Sequence, residues 1–244
     1  SAPRAPSAPA GTMNQIVVHG DSLVGNLSGD SADRTVFVYL PPGYAAAKSR
    51  RYPVLYDLHG YSLTAQRWVG ILDAREAIDR AIDAGRARGM IVVFPDAMSL
   101  HDGSMYSSSV TTGDWETFIA HDLVTYIDGH YRTLANRNSR GLSGHSMGGY
   151  GAFRVGMKRP DVFSVLYPMS SCCLSPRGVT PADPALEQVR SADEAAKLPM
   201  VARTTLAASA AWAPDPHNPP FYLDLPTKAG VPDRKPWGVD LSRG

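Results

Sequence analysis

The stretch SRGLSGHSMGGYGAF (139–153) places a serine between two glycines, where a short apolar run gives way to a helical pattern. The run 139–146 has the composition of a strand, and the helical spacing after it continues to Pro160. Glycines at 144 and 148 leave room for a sharp turn that a β-carbon would obstruct. The stretch therefore predicts that Ser146 projects from a strained turn at the end of a strand, either as a nucleophile or as an ordinary exposed serine in a glycine-rich turn.

The rest of the chain alternates strands with helices. The pattern predicts strands over 35–44, 52–60, 90–97 and 162–171, and helices over 73–89 and 115–131. The run MIVVFPDA (90–97) is continuously apolar as far as Pro95, as in strands that are buried on both faces of a parallel sheet. We therefore expect an α/β fold with a mostly parallel central sheet and helices on both faces.

Length and charge limit the possible functions. The 244 residues suit one α/β domain, which we place at 14–228, after an Ala/Pro-rich flexible leader (1–13) and before an atypical tail (229–244). The net charge of +1 gives no reason to expect a nucleic-acid or membrane-surface partner. There is no apolar run of about 18 residues that would predict a membrane span. The leader composition favours a secreted or periplasmic protein over a cytoplasmic one.

A Gly-x-Ser-x-Gly sequence between a strand and a helix is typical of the nucleophile elbow of α/β-hydrolases. Met147 would begin the helix, where its free N–H and the helix dipole can stabilise an oxyanion. The second amide of such an oxyanion hole comes from the loop after an earlier strand, here His59-Gly60-Tyr61. We expect Gly60 to let the Tyr61 amide turn toward the site, and His59 to hydrogen-bond beneath the loop rather than act as a general base.

Longer segments resemble the esterase D/feruloyl esterase group of α/β-hydrolases, which includes the mycolyltransferases of the antigen 85 type. The similar segments lie between about 26 and 228; among them are YPVLYDLHGY, VVFPDA, GDWETFIAHDLVTYIDGHYRT, GLSGHSMGGYGAF and PPFYLDLP. The resemblance implies Ser146 as nucleophile and the Tyr61 and Met147 amides as oxyanion hole. It also implies an acyl group near Tyr61, Tyr106 and Trp115, although Trp115 at a helix start is equally typical of a core aromatic.

The chain departs from the family pattern after Ser146. The family's acid and base follow the nucleophile, each after a further strand, but His217 is the only histidine in the remaining 98 residues (244 − 146). It lies in the proline-rich segment APDPHNPPFYLDLP (213–226). The resemblance ends near Lys228, so we expect the C-terminal strands that carry the acid and base to be missing.

Three explanations remain open for the missing acid and base. In order of preference, the chain is truncated, another polypeptide supplies the strands, or His217 is recruited with Asp215 or Asp224 behind it. Missing strands would expose a sheet edge, which predicts aggregation or a compensating homo-oligomer.

The predicted function is a serine esterase that forms an acyl-enzyme on Ser146 with small or aryl esters. The alternatives are an acyltransferase and a catalytically incomplete binding protein on the same scaffold. We expect no cofactor and no metal, because no ligand spacing suits zinc and no phosphate-binding loop is present. The adjacent Cys172 and Cys173 suggest no disulfide framework, and we expect both to be small buried side chains.

Overall fold

A computed structural model describes residues 10–174 and 184–233. The strands are β1 (Thr12–His19), β2 (Asp33–Leu40), β3 (Val54–Leu58), β4 (Ile91–Pro95), β5 (Ser108–Ser109), β6 (Gly113–Asp114), β7 (Arg140–His145), β8 (Val165–Met169), β9 (Thr227–Lys228) and β10 (Val231–Pro232). The helices are α1 (Ala65–Ile71), α2 (Ala74–Asp83), α3 (Trp115–Thr117), α4 (Leu123–His130), α5 (Met147–Lys158), α6 (Ala192–Ala196) and α7 (Met200–Trp212), with a π-helical turn at Phe118–Asp122 that joins α3 to α4.

The central sheet has six strands in the order β1-β2-β4-β3-β7-β8. The pairs β4–β3, β3–β7 and β7–β8 are parallel, whereas β1–β2 and β2–β4 are antiparallel. The prediction of a mostly parallel sheet is confirmed. In the register of β3 and β7, Leu58 lies opposite Gly144, so the loops that follow these two strands begin side by side.

Both faces of the sheet are covered, as predicted. On β4, Ile91 and Val93 belong to the larger apolar core, on the side of α4 and α5, while Val92 and Phe94 pack into a second core with Trp68 of α1. This alternation follows from the two-residue period of a strand. It explains why β4 (Ile91–Pro95) is apolar at every position.

Several elements differ from the sequence prediction. The strand β1 begins at Thr12, inside the predicted leader, because Thr12 and Met13 extend the antiparallel ladder with β2. The β9–β10 hairpin pairs Lys228 with Val231 and so crosses the predicted boundary at 228/229. Residues 1–9 and 234–244, which make up the rest of the predicted leader and tail, lie outside the described residues.

Helix α7, which the sequence analysis missed, is 13 residues long and rich in alanine. Its face with Ala207, Ala208 and Ala211 packs against the larger core. No helix in the described ranges has the length and apolarity needed to cross a lipid bilayer.

Strand β8 is an edge of the sheet in the part of the chain that the structure describes. Two large side chains on it, Val165 and Tyr167, are 59% and 64% exposed, and Met157 on the adjacent helix α5 is 67% exposed. Apolar side chains at an open edge favour pairing with a further strand.

A buried ion pair between Arg34 and Asp96 connects several elements of the fold. Arg34 of β2 donates through Nη2 to Asp96 Oδ1 at 3.2 Å and through Nε to Asp96 O at 3.2 Å. The other carboxylate oxygen of Asp96 accepts the first amide of α1, from Ala65, at 2.9 Å. The guanidinium also lies 5.0 Å from the ring centroid of Trp115. One arginine therefore joins β2 to the end of β4 and, through Asp96, to the start of α1. It also contacts Trp115 at the start of α3.

We expect Arg34→Ala to lower the free energy of unfolding by about 3–5 kcal/mol, because it leaves the buried Asp96 carboxylate without its counter-charge. Arg67→Ala is the matched control, since Arg67 is exposed on α1 and its loss should change the free energy by less than about 0.5 kcal/mol. Urea denaturation followed by circular dichroism measures both. Equal midpoints for the two variants would contradict a structural role for the ion pair.

Candidate active site

Ser146 lies in a strained turn between β7 and α5. Its backbone has φ 56° and ψ −112°, a region that residues with a β-carbon rarely adopt. Three backbone hydrogen bonds hold it there: Ser146 N donates to Met169 O at 3.0 Å, and Ser146 O accepts from Tyr150 N at 3.0 Å and Cys172 N at 3.2 Å. The side chain is partly exposed. The predicted turn geometry is confirmed.

The glycines around Ser146 are required by close backbone contacts. A β-carbon on Gly148 would overlap the carbonyl oxygen of Leu58, and one on Gly144 would overlap the carbonyl of Gly148. A β-carbon on Gly149 would lie 2.7 Å from Met169 O. Helix α5 can therefore start directly against the ends of β3 and β8 only because these positions have no side chain.

The loop after β3 passes beside Ser146. A β-carbon built on Gly60 would lie 3.7 Å from Ser146 Cβ, so the two loops are in van der Waals range. His59 is fully buried beneath this loop. Its Nε2 accepts the Ala97 amide at 2.8 Å, which leaves Nδ1 as the donor to Gly60 O at 2.8 Å. Burial lowers the pKa of His59, so the ring is neutral and structural, as predicted.

The His59 hydrogen bond also fixes the direction of the next amide. In a trans peptide the C=O and the following N–H point in opposite directions, so holding Gly60 O toward His59 turns the Tyr61 N–H the other way. Within the described residues, neither the Tyr61 amide nor the Met147 amide donates to another protein group. Ser146 therefore has one free amide from the loop after β3 and one at the start of α5.

Tyr106 and Trp115, predicted to lie near an acyl group, are both buried in the core. Tyr106 is fully buried, with its hydroxyl donating to His59 O at 3.1 Å. Trp115 is 1% exposed and donates from Nε1 to Thr112 O at 2.8 Å. In this conformation a ligand cannot contact either ring, because neither has accessible surface. The structure therefore corrects the prediction that Tyr106 and Trp115 line the acyl pocket. Tyr61 is only partly buried, and its hydroxyl donates to His101 O at 3.1 Å.

In the part of the chain that the structure describes, no base hydrogen-bonds to the Ser146 side chain. His217 lies in an exposed loop, where its backbone amide donates to Asp215 Oδ1 at 2.9 Å. Asp224 donates its backbone amide to Ala213 O at 2.8 Å. Among residues 10–174 and 184–233, no hydrogen bond connects Ser146 to a histidine. The recruitment of His217 stays a prediction.

Sequence analysis missed a buried polar network under the elbow. Asp57 of β3 is 6% exposed and accepts from Ser143 Oγ at 2.5 Å and from Trp68 Nε1 at 2.9 Å. Burial raises the pKa of Asp57 above its usual range. The Trp68 ring stacks on His145, with ring centroids 5.9 Å apart. The one available signal was an aspartate inside the apolar run YPVLYDLHG (52–60).

Cys172 and Cys173 follow β8 directly beside the elbow. Cys172 is half-buried and Cys173 is exposed, which corrects the expectation that both are buried. The reason is that β8 ends at Met169, so the chain has already left the sheet at these positions.

Comparison with known proteins identifies the family. The model of the family named Esterase, described as "Putative esterase", matches residues 31–239. The chain belongs to this esterase family. The match continues beyond Lys228, where the resemblance in the sequence was expected to end.

Individual relatives of this chain match it over only part of their own length. An endo-1,4-beta-xylanase/feruloyl esterase of Xylanibacter ruminicola is 32% identical over 53% of this chain and 18% of the relative. An esterase of Mycobacterium tuberculosis is 35% identical over 50% of this chain and 26% of the relative. The matched region thus spans about a fifth to a quarter of these relatives.

Solved structures confirm the α/β-hydrolase fold. A ferulic acid esterase superposes with a TM-score of 0.62 and 29% identity over 73% of this chain and 65% of the other. A ferulic acid esterase of Anaeromyces mucronatus, solved with ferulic acid, gives a TM-score of 0.53 and 22% identity over 74% of this chain and 64% of the other. The chain therefore has the expected fold.

We expect Gly148→Ala to destabilise the protein by about 1–3 kcal/mol, since the added methyl group would push α5 away from the Leu58 carbonyl. Gly129→Ala is the matched control, because Gly129 lies in α4 with open space around it. There the substitution should stabilise by about 0.5–1 kcal/mol. Thermal unfolding measures both, and a Gly148→Ala variant as stable as the wild type would refute the close contact.

Proposed function

We propose that this chain is a serine carboxylic-ester hydrolase that forms an acyl-enzyme on Ser146. The observation that carries the proposal is the strained turn at Ser146, together with the amides of Tyr61 in the neighbouring loop and of Met147 at the start of α5, neither of which donates to another described protein group. Membership of the esterase family supports the same reaction class.

The chemistry follows from this arrangement. The Ser146 hydroxyl attacks the ester carbonyl while a base takes its proton, and the negative charge that develops on the carbonyl oxygen is stabilised by the Tyr61 and Met147 amides. The alcohol leaves with a proton, and water then releases the acid. Fixed amides need no reorganisation during the reaction, and one such donor is worth about 10²–10³ in rate.

The names of the relatives suggest a substrate class. The relatives from Xylanibacter ruminicola and Anaeromyces mucronatus are named as feruloyl and ferulic acid esterases, so we propose an aryl ester of the ferulate type. With an alcohol as acceptor instead of water, the same acyl-enzyme would act as an acyltransferase. A secreted or periplasmic location stays a prediction from composition.

For the base, we propose a histidine that is not one of the seven in this sequence, since all seven lie in the described ranges and none of them hydrogen-bonds to Ser146. It would belong to a segment that pairs with the open edge of β8, either in a second polypeptide or in a further part of the protein. The exposed Val165 and Tyr167 on that edge support this proposal. A homo-oligomer formed through the same edge is an alternative arrangement.

We expect a fluorophosphonate probe to label Ser146 covalently and Ser146→Ala to abolish both the labelling and the hydrolysis of methyl ferulate. Mapping the adduct by peptide mass spectrometry identifies the residue. Ser164→Ala, at an exposed serine before β8, should leave both unchanged. Labelling that persists in Ser146→Ala would overturn the proposal, and no labelling in the wild type would favour the binding-protein alternative.

The variant His217→Ala tests whether the base is His217 or a histidine of another segment. We expect turnover of methyl ferulate to match that of His121→Ala, a second exposed histidine, because neither ring hydrogen-bonds to Ser146. General-base catalysis contributes about 10²–10⁴ in rate. A loss of that size in His217→Ala alone would show that His217 is the base.

A further inference from the structure

The adjacent pair Cys172–Cys173 lies against the turn that holds Ser146. Cys172 donates its backbone N–H to Ser146 O at 3.2 Å and packs against the larger core. Cys173 has φ 63° and an exposed side chain. The two sulfur atoms are in contact with each other. Two thiols are therefore held together, one of them open to reagents.

The environments of the two sulfurs give them different reactivity. The hydrogen bond they share lowers the pKa of Cys173 and raises that of Cys172. The thiolate is the nucleophilic form of cysteine, so the exposed Cys173 is the sulfur that reacts first. Cys172 lies within reach to resolve whatever forms on Cys173.

We propose that Cys172 and Cys173 form a reversible dithiol–disulfide site that reacts with small-molecule disulfides. The Cys173 thiolate attacks one sulfur of the oxidant RSSR, which forms a Cys173–SR mixed disulfide and releases RS⁻. Cys172 then loses its proton, its sulfur attacks Cys173 Sγ, and the second RS⁻ leaves. The two protein thiols are oxidised, RSSR is reduced to two RSH, and both protons end on the released thiols.

The bridge is expected to be labile rather than structural. Neighbouring Cα atoms are about 3.8 Å apart across a trans peptide, whereas disulfides prefer about 4.4–6.8 Å. A bridge between neighbours is therefore strained, and strained, exposed disulfides are the easily reduced ones. The same geometry that makes such bridges rare makes this one suitable for reversible exchange.

Formation of the Cys172–Cys173 disulfide would also affect the turn at Ser146. The ring that forms includes the 172–173 peptide, so it constrains the residue whose N–H supports Ser146 O. We infer that oxidation changes the reactivity of Ser146. This part rests on the proposed function, whereas the thiol chemistry does not.

The test uses the full chain, reduced with dithiothreitol and then incubated with glutathione disulfide. After acid quenching and alkylation with N-ethylmaleimide, intact mass should show wild-type protein that has lost two hydrogens and carries neither glutathione nor maleimide. Dithiothreitol should restore both thiols. Cys172→Ser should accumulate glutathione on Cys173, because no resolving thiol remains.

Three results would overturn the dithiol site: two thiols that stay alkylatable, a stable glutathione adduct on the wild type, or a disulfide-linked dimer. A parallel measurement follows fluorophosphonate labelling of Ser146 in the reduced and oxidised forms. Different rates support the coupling to the elbow, and equal rates overturn the coupling. A Ser146 that labels in neither form counts against the proposed function, while the mass result still decides the dithiol site.

Discussion

The close contact between the start of α5 and the end of β3 is the constraint on which the site depends. Gly148 lies so near the Leu58 carbonyl that no side chain fits between them. With the helix that close, the chain must reverse within one residue after β7, and Ser146 takes up the unfavourable backbone conformation. The energy of that strain is offset by three backbone hydrogen bonds and by the packing of α5 against the sheet.

The contact between α5 and β3 also brings together the loops that surround Ser146. Since β3 and β7 are neighbours in register, the loops that follow them meet at the same edge of the sheet. A buried neutral histidine, His59, then holds the Gly60 carbonyl and so directs the Tyr61 amide. Under the turn, Asp57 ties β3 to β7 and α1 through Ser143 and Trp68. The direction of the Tyr61 amide is thus set by the core before any substrate arrives.

Sequence reasoning succeeded where a local pattern has a local physical cause. The glycines around Ser146 and the apolar run 90–97 predicted the turn and the buried strand, because sterics and burial act directly on those residues. It failed where distant segments decide the outcome. The burial of Tyr106 depends on His59 and on helix α5, and the Asp57 network joins residues 11 and 86 positions away. Strand β1 was assigned in part to a leader because only its pairing with β2 reveals it.

The central claim is that the Tyr61 and Met147 amides stabilise the oxyanion formed at Ser146. The most direct test is to record amide spectra of ¹⁵N-labelled protein before and after Ser146 forms a tetrahedral adduct with a boronic acid. Charge-assisted hydrogen bonds are shorter and stronger than neutral ones, so the Tyr61 and Met147 amide protons should move downfield, and the Gly129 amide should not. An adduct that leaves the chemical shifts of both amide protons unchanged would show that these amides do not stabilise the oxyanion.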